Sequence, residues 1–172
     1  MAQDQCIDVL AQTASKGGKA VWTGIGKAGH IARYASSLMA SAAMESAFLH
    51  PAEAMHGDFG VLGANDCLLV LSHSGASQEP LAVIEHARWL RRVPIIAITS
   101  QPDSPIANNA DHVIVYTSEP ELIGKVPANA SLEQMRISNE LVIETSKRLK
   151  RGLEYLKSRH PGGAIGESYG KA

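Results

Sequence analysis

The sequence predicts an α/β domain built on a parallel five-stranded sheet with helices on both faces. Three observations carry that expectation. The 172 residues, 45% of them hydrophobic, suffice for one domain with a proper core. Short apolar runs alternate with segments of helical period along the chain, and glycine- or serine-rich turns follow two of those runs just before a helix. Repeated βα alternation gives parallel strands covered by helices, and such sheets hold ligands at the carboxyl ends of their strands.

Apolar positions at helical spacing, Ile7, Leu10 and Ala14, predict an N-terminal helix that Lys16-Gly17-Gly18 ends. Ala20 to Thr23 is a short strand. Gly24 to Gly29 opens a loop, and the small residues from His30 to Ala43 predict a closely packed helix. Ala47 to His50 is a second strand. Pro51 and the turn Gly57-Asp58-Phe59-Gly60 separate it from Cys67 to Leu71, a continuous apolar run suited to the middle of a parallel sheet. Glu79 to Arg92 is an amphipathic helix, Pro94 to Thr99 a fourth strand, Asp103 to Asn109 a short helix and Val113 to Tyr116 a fifth strand. Glu119 to Asn129 reads as a loop and Leu132 to Leu156 as one long helix. No repeat, low-complexity tract or linker interrupts the series, so 1–172 reads as a single domain.

Sixteen basic and seventeen acidic residues leave a formal charge of -1, which lacks the electropositive surface that nucleic-acid binding requires. Cys6 and Cys67 have no CxxC or Cys/His ligand spacing, which argues against a structural zinc site or a disulfide scaffold and suits a reducing, cytoplasmic setting. The first residues show no basic region followed by an apolar one, and no stretch approaches the ~18 apolar residues of a membrane span. The expectation is a protein without nucleic-acid or membrane partners.

Gly24-x-Gly26-x-x-Gly29 follows a strand and opens a helix, which is the setting of a dinucleotide-binding fingerprint. That reading needs an acidic residue at the end of the second strand, where this chain has His50-Pro51, and Lys27 within the loop suits a phosphate or oxyanion better. A glycine turn with a solvated lysine is the plain alternative. The third strand runs into Ser72-His73-Ser74-Gly75-Ala76-Ser77, where three hydroxyls and backbone N–H groups gather at a helix N-terminus. Hydroxyl donors, a glycine that permits close approach and the positive end of the helix dipole can together hold a terminal phosphate. A serine N-cap alone would account for one hydroxyl, not three.

Five segments together resemble the sugar isomerase (SIS) domain superfamily, and within it the arabinose-5-phosphate isomerases. They are Thr23 to His30, His50 to Asp58, Leu71 to Glu79, Ile98 to Ser104 and His160 to Gly166. The resemblance implies the SIS fold, a flavodoxin-like three-layer αβα sandwich, here as a single-domain form without the CBS modules that many relatives carry. It implies catalytic positions at Lys27, His56, Glu79, Glu119 and His160, a phosphate loop of Ser72, Ser74 and Ser77, and substrate-loop glycines at Gly26 and Gly75. The family usually has Asn at His73, Glu at Ala76 and a Pro-Thr-Ser-Ser-Thr stretch at Pro127 to Ser131, so this chain departs there.

The activity so implied interconverts D-arabinose 5-phosphate and D-ribulose 5-phosphate through a cis-enediol(ate), supplying 3-deoxy-manno-octulosonate (Kdo) for lipopolysaccharide or capsule. Such chemistry needs a base for the carbon-bound proton, groups that move oxygen-bound protons, and a cation for the enediolate. A carboxylate in a partly desolvated pocket suits the first role, and Glu119, on a loop above the strand ends, is favoured over Glu79. Lys27 suits the enediolate, and His56 and His160 suit ring opening and proton shuttling. His56, His73 and His160 have no diagnostic metal spacing, and no metal or cofactor is expected. The family assembles as dimers or tetramers, so the tail 157–172 is expected to pack on a neighbouring subunit with His160 reaching the neighbour's site. A non-catalytic sugar-phosphate-binding module, an isomerase of another phosphosugar and a dehydrogenase are the rival readings.

Overall fold

The computed structural model describes residues 2–169. Helix α1 (Ala2–Ser15) buries Cys6, Ile7, Leu10 and Thr13 on one face, the spacing of an amphipathic helix. Strand β1 (Ala20–Thr23) is buried throughout. Helix α2 (Gly26–Ala42) begins inside the expected glycine loop rather than at His30. Its first turn lies against the end of β1 so closely that a Cβ on Gly29 would stand 2.6 Å from the Gly24 carbonyl oxygen. Strand β2 (Ser46–Phe48) stops short of His50, because Pro51 starts the one-turn helix α3 (Pro51–Ala54), where a proline lacking its N–H loses nothing. A 3-10 turn, Asp58–Val61, leads to strand β3 (Cys67–Leu71). Helix α4 (Gln78–Leu90), strand β4 (Ile95–Thr99), helix α5 (Pro105–Asn108) and strand β5 (His112–Val115) follow within a residue or two of their expected places.

The segment read as one helix from Leu132 to Leu156 is in fact two, α6 (Asn129–Arg148) and α7 (Leu153–Arg159). Lys150 takes φ 53°, and the Arg151 N–H reaches back to the Ser146 carbonyl at 3.0 Å, which closes α6 in a Schellman motif. Lysine at a position that glycine usually fills hides this stop from a sequence reading. Helix α7 then packs on α2 of its own chain. Arg151 Nε donates to the Ala43 carbonyl at 2.8 Å, and the guanidinium groups of Arg151 and Arg159 lie 4.2 and 4.9 Å from the Tyr155 ring centre. A short helix α8 (Gly163–Ser168) ends the described chain, and residues 170–172 of the expected tail lie outside it.

All five strands are parallel, in the order β2-β1-β3-β4-β5. Alternate side chains leave opposite faces of the sheet. Trp22, Leu69, Leu71, Ile96 and Ile98 pack with α1, α2 and α6. Val21, Leu68, Val70, Ile95 and Ala97 pack on the other side with Phe59, Val83, Ile84 and Ile106. The amino ends of β1 and β3 are tied by Asp66, which accepts from Lys19 Nζ at 2.6 Å, Lys19 N at 2.9 Å and Gly63 N at 2.6 Å. Burial would raise this carboxyl, but those donors outweigh it and hold the pKa below the ordinary value. The strand order reverses between β1 and β3, which opens a crevice beyond their carboxyl ends, where sheets of this kind place ligands.

Candidate functional site

A cleft of about 240 Å³ occupies that crevice. Ile25, Lys27 and Ala28 from the start of α2 form one side, Leu71 to Ser74 with Ser77 form the floor, and Lys125, Pro127, Ser131 and Gln134 close the other side. None of these lining residues is acidic. Two lysines and the N-terminal turns of α2 and α4, which no side chain caps, therefore face the same space. Free N–H groups at the positive end of a helix favour an anion there.

The three serines divide their work. Ser72 is buried, and its hydroxyl accepts from the Gly75 N–H at 3.1 Å and lies 3.4 Å from the Ser77 hydroxyl. Ser74 is exposed and accepts from the Ala76 N–H at 3.3 Å. Ser77 stands at the N-cap of α4, yet its hydroxyl makes no capping bond and lies beside the Ser72 hydroxyl instead. Gly75 shapes the loop: its φ is 62°, and a Cβ would fall 1.9 Å from Ser104 Oγ. Its carbonyl accepts from the Ile106 N–H at 2.9 Å, which fastens the loop to α5. Gly26, the other expected loop glycine, opens α2 at φ 60°.

Of the five expected acid-base positions, the structure brings Lys27 into the cleft with the serines. Glu119 is exposed and lines a separate hollow with Tyr116, Ser118, Glu133 and Arg136. His56 is exposed between α3 and the 3-10 turn, and Glu79 is exposed in the first turn of α4. His160 follows α7 and donates from Nδ1 to the Leu156 carbonyl at 2.7 Å, since a carbonyl can only accept. Glu121 has a different role. Its carboxylate accepts from the N–H groups of Ala128, Asn129 and Ala130 at 2.8 to 2.9 Å, supplying the N-terminal cap of α6. Those bonds, Ala130's foremost, hold its pKa below the ordinary value.

Lys125 and Gln134 carry no motif and His73 has only a weak claim from sequence, whereas Ser131 ends the Pro127 to Ser131 stretch where this chain departs from the family pattern. A glutamine on the same face of α6 as Ala130, Ile137 and Leu141 is nonetheless a readable sign of a polar group turned inward. Both cysteines are free and buried, and burial pushes the Cys6 thiol up to about 11 and Cys67 higher still, so neither is poised as a nucleophile. Among the described residues no group of three or more His, Cys, Asp or Glu side chains could hold a metal ion, and no helix is long and apolar enough to cross a membrane.

Residues 14–144 match the SIS domain family model. The chain is 36% identical over 151 residues to arabinose 5-phosphate isomerase KdsD of Shigella flexneri, covering 87% of this chain and 46% of that protein, so it spans about half the length of that relative. A Bacteroides fragilis crystal structure, of a candidate phosphosugar isomerase involved in capsule formation, superposes with a TM-score of 0.89 at 35% identity, covering 94% of this chain and 86% of that one. A protein of Escherichia coli CFT073 in complex with arabinose 5-phosphate superposes with a TM-score of 0.84 at 28% identity, covering 92% and 83%. The chain belongs to the SIS domain family and is homologous to the arabinose 5-phosphate isomerases.

Proposed function

We propose that this protein is a phosphosugar isomerase that interconverts D-arabinose 5-phosphate and D-ribulose 5-phosphate. The observation that carries the reading is the cleft itself, in which Lys27 and the serine loop share one acid-free space at the strand switch point. A phosphate dianion on the serine loop and the α4 N-terminus leaves the carbonyl end of an extended sugar for Lys27. In the aldose, a base takes the proton from C2 and the carbonyl electrons move to O1, giving an enediolate that the ammonium group stabilises. Proton return at C1, with O2 becoming the carbonyl, completes the ketose without an oxidant or cofactor. The likeness to KdsD and to the relative that holds arabinose 5-phosphate supports the pentose phosphate as substrate. The capsule association of the Bacteroides relative supports a role in supplying Kdo, for capsule or lipopolysaccharide, in the cytoplasm.

The base is Glu119 in this proposal, with Glu79 orienting a neighbour and His56 and His160 moving oxygen-bound protons. In one chain these four do not line the cleft, which supports a homodimer or homotetramer whose subunits complete each other's sites. The same observation favours a second reading, a module that binds a sugar phosphate without turning it over. NMR in deuterated water separates the two. Incubation with arabinose 5-phosphate should yield ribulose 5-phosphate with solvent deuterium on carbon, and Glu119→Gln should lose that exchange. Binding without exchange in wild type would establish the second reading, and loss of exchange in Glu79→Gln alone would reverse the two carboxylates. Mixed oligomers of Lys27→Ala with His160→Ala should regain activity that neither variant has alone, and failure to do so would return His160 to its own chain.

A further inference from the structure

The cleft wall formed by α6 carries a polar group that the protein leaves without a partner. Gln134 is 2% exposed and lines the cleft, yet its amide nitrogen makes no hydrogen bond. Buried donors in native proteins are nearly always paired, so an unpaired one within a cleft wall calls for an acceptor from outside the chain, which the amide meets by turning toward the cleft. Beside it stands Tyr116, itself buried, whose hydroxyl lies 3.0 Å from Nδ1 of His73. The Gln134 amide faces this phenol closely enough to temper its titration without closing a regular bond. Burial still pushes the phenol up to about 12, so it keeps its hydrogen and needs an acceptor. His73 Nδ1 is within reach, and when it accepts from the phenol the ring nitrogen left to donate is Nε2. His73 also lines the cleft, next in sequence to Ser72 and Ser74.

We infer that Gln134 and His73, the latter positioned by Tyr116, form a sugar-reading wall whose N–H donors meet the hydroxyl-bearing carbons of a phosphosugar while the serine loop holds its phosphate. This rests on the phosphosugar reading above and adds to it the groups that discriminate among sugars. The make-up of the lining supports it, because two lysines and the serine hydroxyls share one space with the neutral side chains of His73 and Gln134. A molecule with an anionic end and a neutral hydroxylated end has the matching polarity. His73 and Gln134 are also separate in sequence, and Tyr116, just past the end of β5, stands next to both.

The test compares arabinitol 5-phosphate, which cannot react, with methyl phosphate, which shares only the anionic end, by NMR titration. Wild type should bind arabinitol 5-phosphate more tightly. Gln134→Leu and Tyr116→Phe should each shrink that preference about tenfold while methyl phosphate affinity stays within about twofold, because the lost bonds belong to the hydroxylated end alone. In wild type, the Gln134 side-chain amide resonances should shift with arabinitol 5-phosphate and not with methyl phosphate, a readout that needs no folded variant. An unmoved Gln134 amide, an undiminished preference in folded variants, or equal loss of both affinities would overturn the inference while leaving the phosphosugar reading intact. Failure of wild type to bind either ligand would overturn both.

Discussion

Replacing Gly75 by alanine should distort the serine loop from within, and the size of the effect follows from two features of the site. The residue sits at φ 62°, a left-handed conformation that costs an L-residue about 1–2 kcal/mol. The new methyl would also fall 1.9 Å from Ser104 Oγ and 2.4 Å from Ser104 Cβ, an overlap that must be relieved by shifting loop or helix at about 1–3 kcal/mol. The expected loss is about 2–5 kcal/mol, and each kcal/mol lowers the melting temperature of a domain this size by about 2–4 °C. The steric share can be isolated. Ser104→Gly removes the two nearest atoms, leaving Thr99 Oγ1 at 3.0 Å, and, because glycine is a tolerated N-cap, should cost only a few tenths of a kcal/mol alone. Combined with Gly75→Ala it should recover about 1–3 kcal/mol, leaving the backbone penalty. Thermal unfolding of the four proteins followed by circular dichroism completes the cycle. Additive effects, or a Gly75→Ala variant as stable as wild type, would refute the account of why this loop requires glycine.

The neighbouring serines should separate into two phenotypes. Ser74→Ala should weaken binding of phosphate ligands at least about tenfold through a lost bond to a charged group, with little change in melting. Ser72→Ala should chiefly lower stability, by about 1–3 kcal/mol, because the Gly75 N–H loses its acceptor. An unchanged Michaelis constant in Ser74→Ala would count against the phosphate site. Asp66→Asn, which removes a half-buried ion pair and weakens two bonds to backbone N–H groups, should cost about 1.5–3 kcal/mol at neutral pH by denaturant titration. Asp66 and Glu121 both have depressed pKa values in the folded state, so the stability they confer is complete above the ordinary carboxylate range and is lost as pH falls through their folded values. The melting curves of Glu121→Gln and wild type should therefore differ at pH 7 and converge in acid, and a constant gap across that range would exclude the capping role.

The strands were legible because a parallel sheet covered on both faces demands unbroken apolar runs, and Cys67 to Leu71 or Ile95 to Thr99 can satisfy that demand in few other ways. Helix ends were less legible. Gly24 to Gly29 looks like a loop by composition, yet the missing Cβ atoms at Gly24 and Gly29 let α2 start there and pack against β1. The break after Arg148 depends on Lys150 adopting a conformation that its residue type does not announce. In the site, Lys27 and the serines announced themselves because each follows a strand directly, where the fold puts ligand-facing residues. Lys125, Ser131 and Gln134 come from a loop and a helix beyond the last strand, and only tertiary packing turns them toward the cleft. Glu119 and Glu121 stand two residues apart in similar company, and only the direction of the chain past β5 decides that Glu121 meets the α6 backbone.

The way Ser72, Gly75 and Ser104 interlock has a bearing on how such a site changes over generations. The atoms that hold the loop's shape are largely distinct from those exposed to the cleft, since Ser72 turns its hydroxyl inward while Ser74 and the uncapped Ser77 remain at the surface. Substitutions at 74, 76 and 77 can therefore be sampled one at a time without unfolding the frame, and a lineage can drift in affinity or preference through viable intermediates. Changes at 72 or 75 are harder to make alone, because one strips the Gly75 N–H of its acceptor and the other needs room that Ser104 occupies. Descendants of this chain would be expected to diversify at the outward positions first and to alter Gly75 only after or together with Ser104.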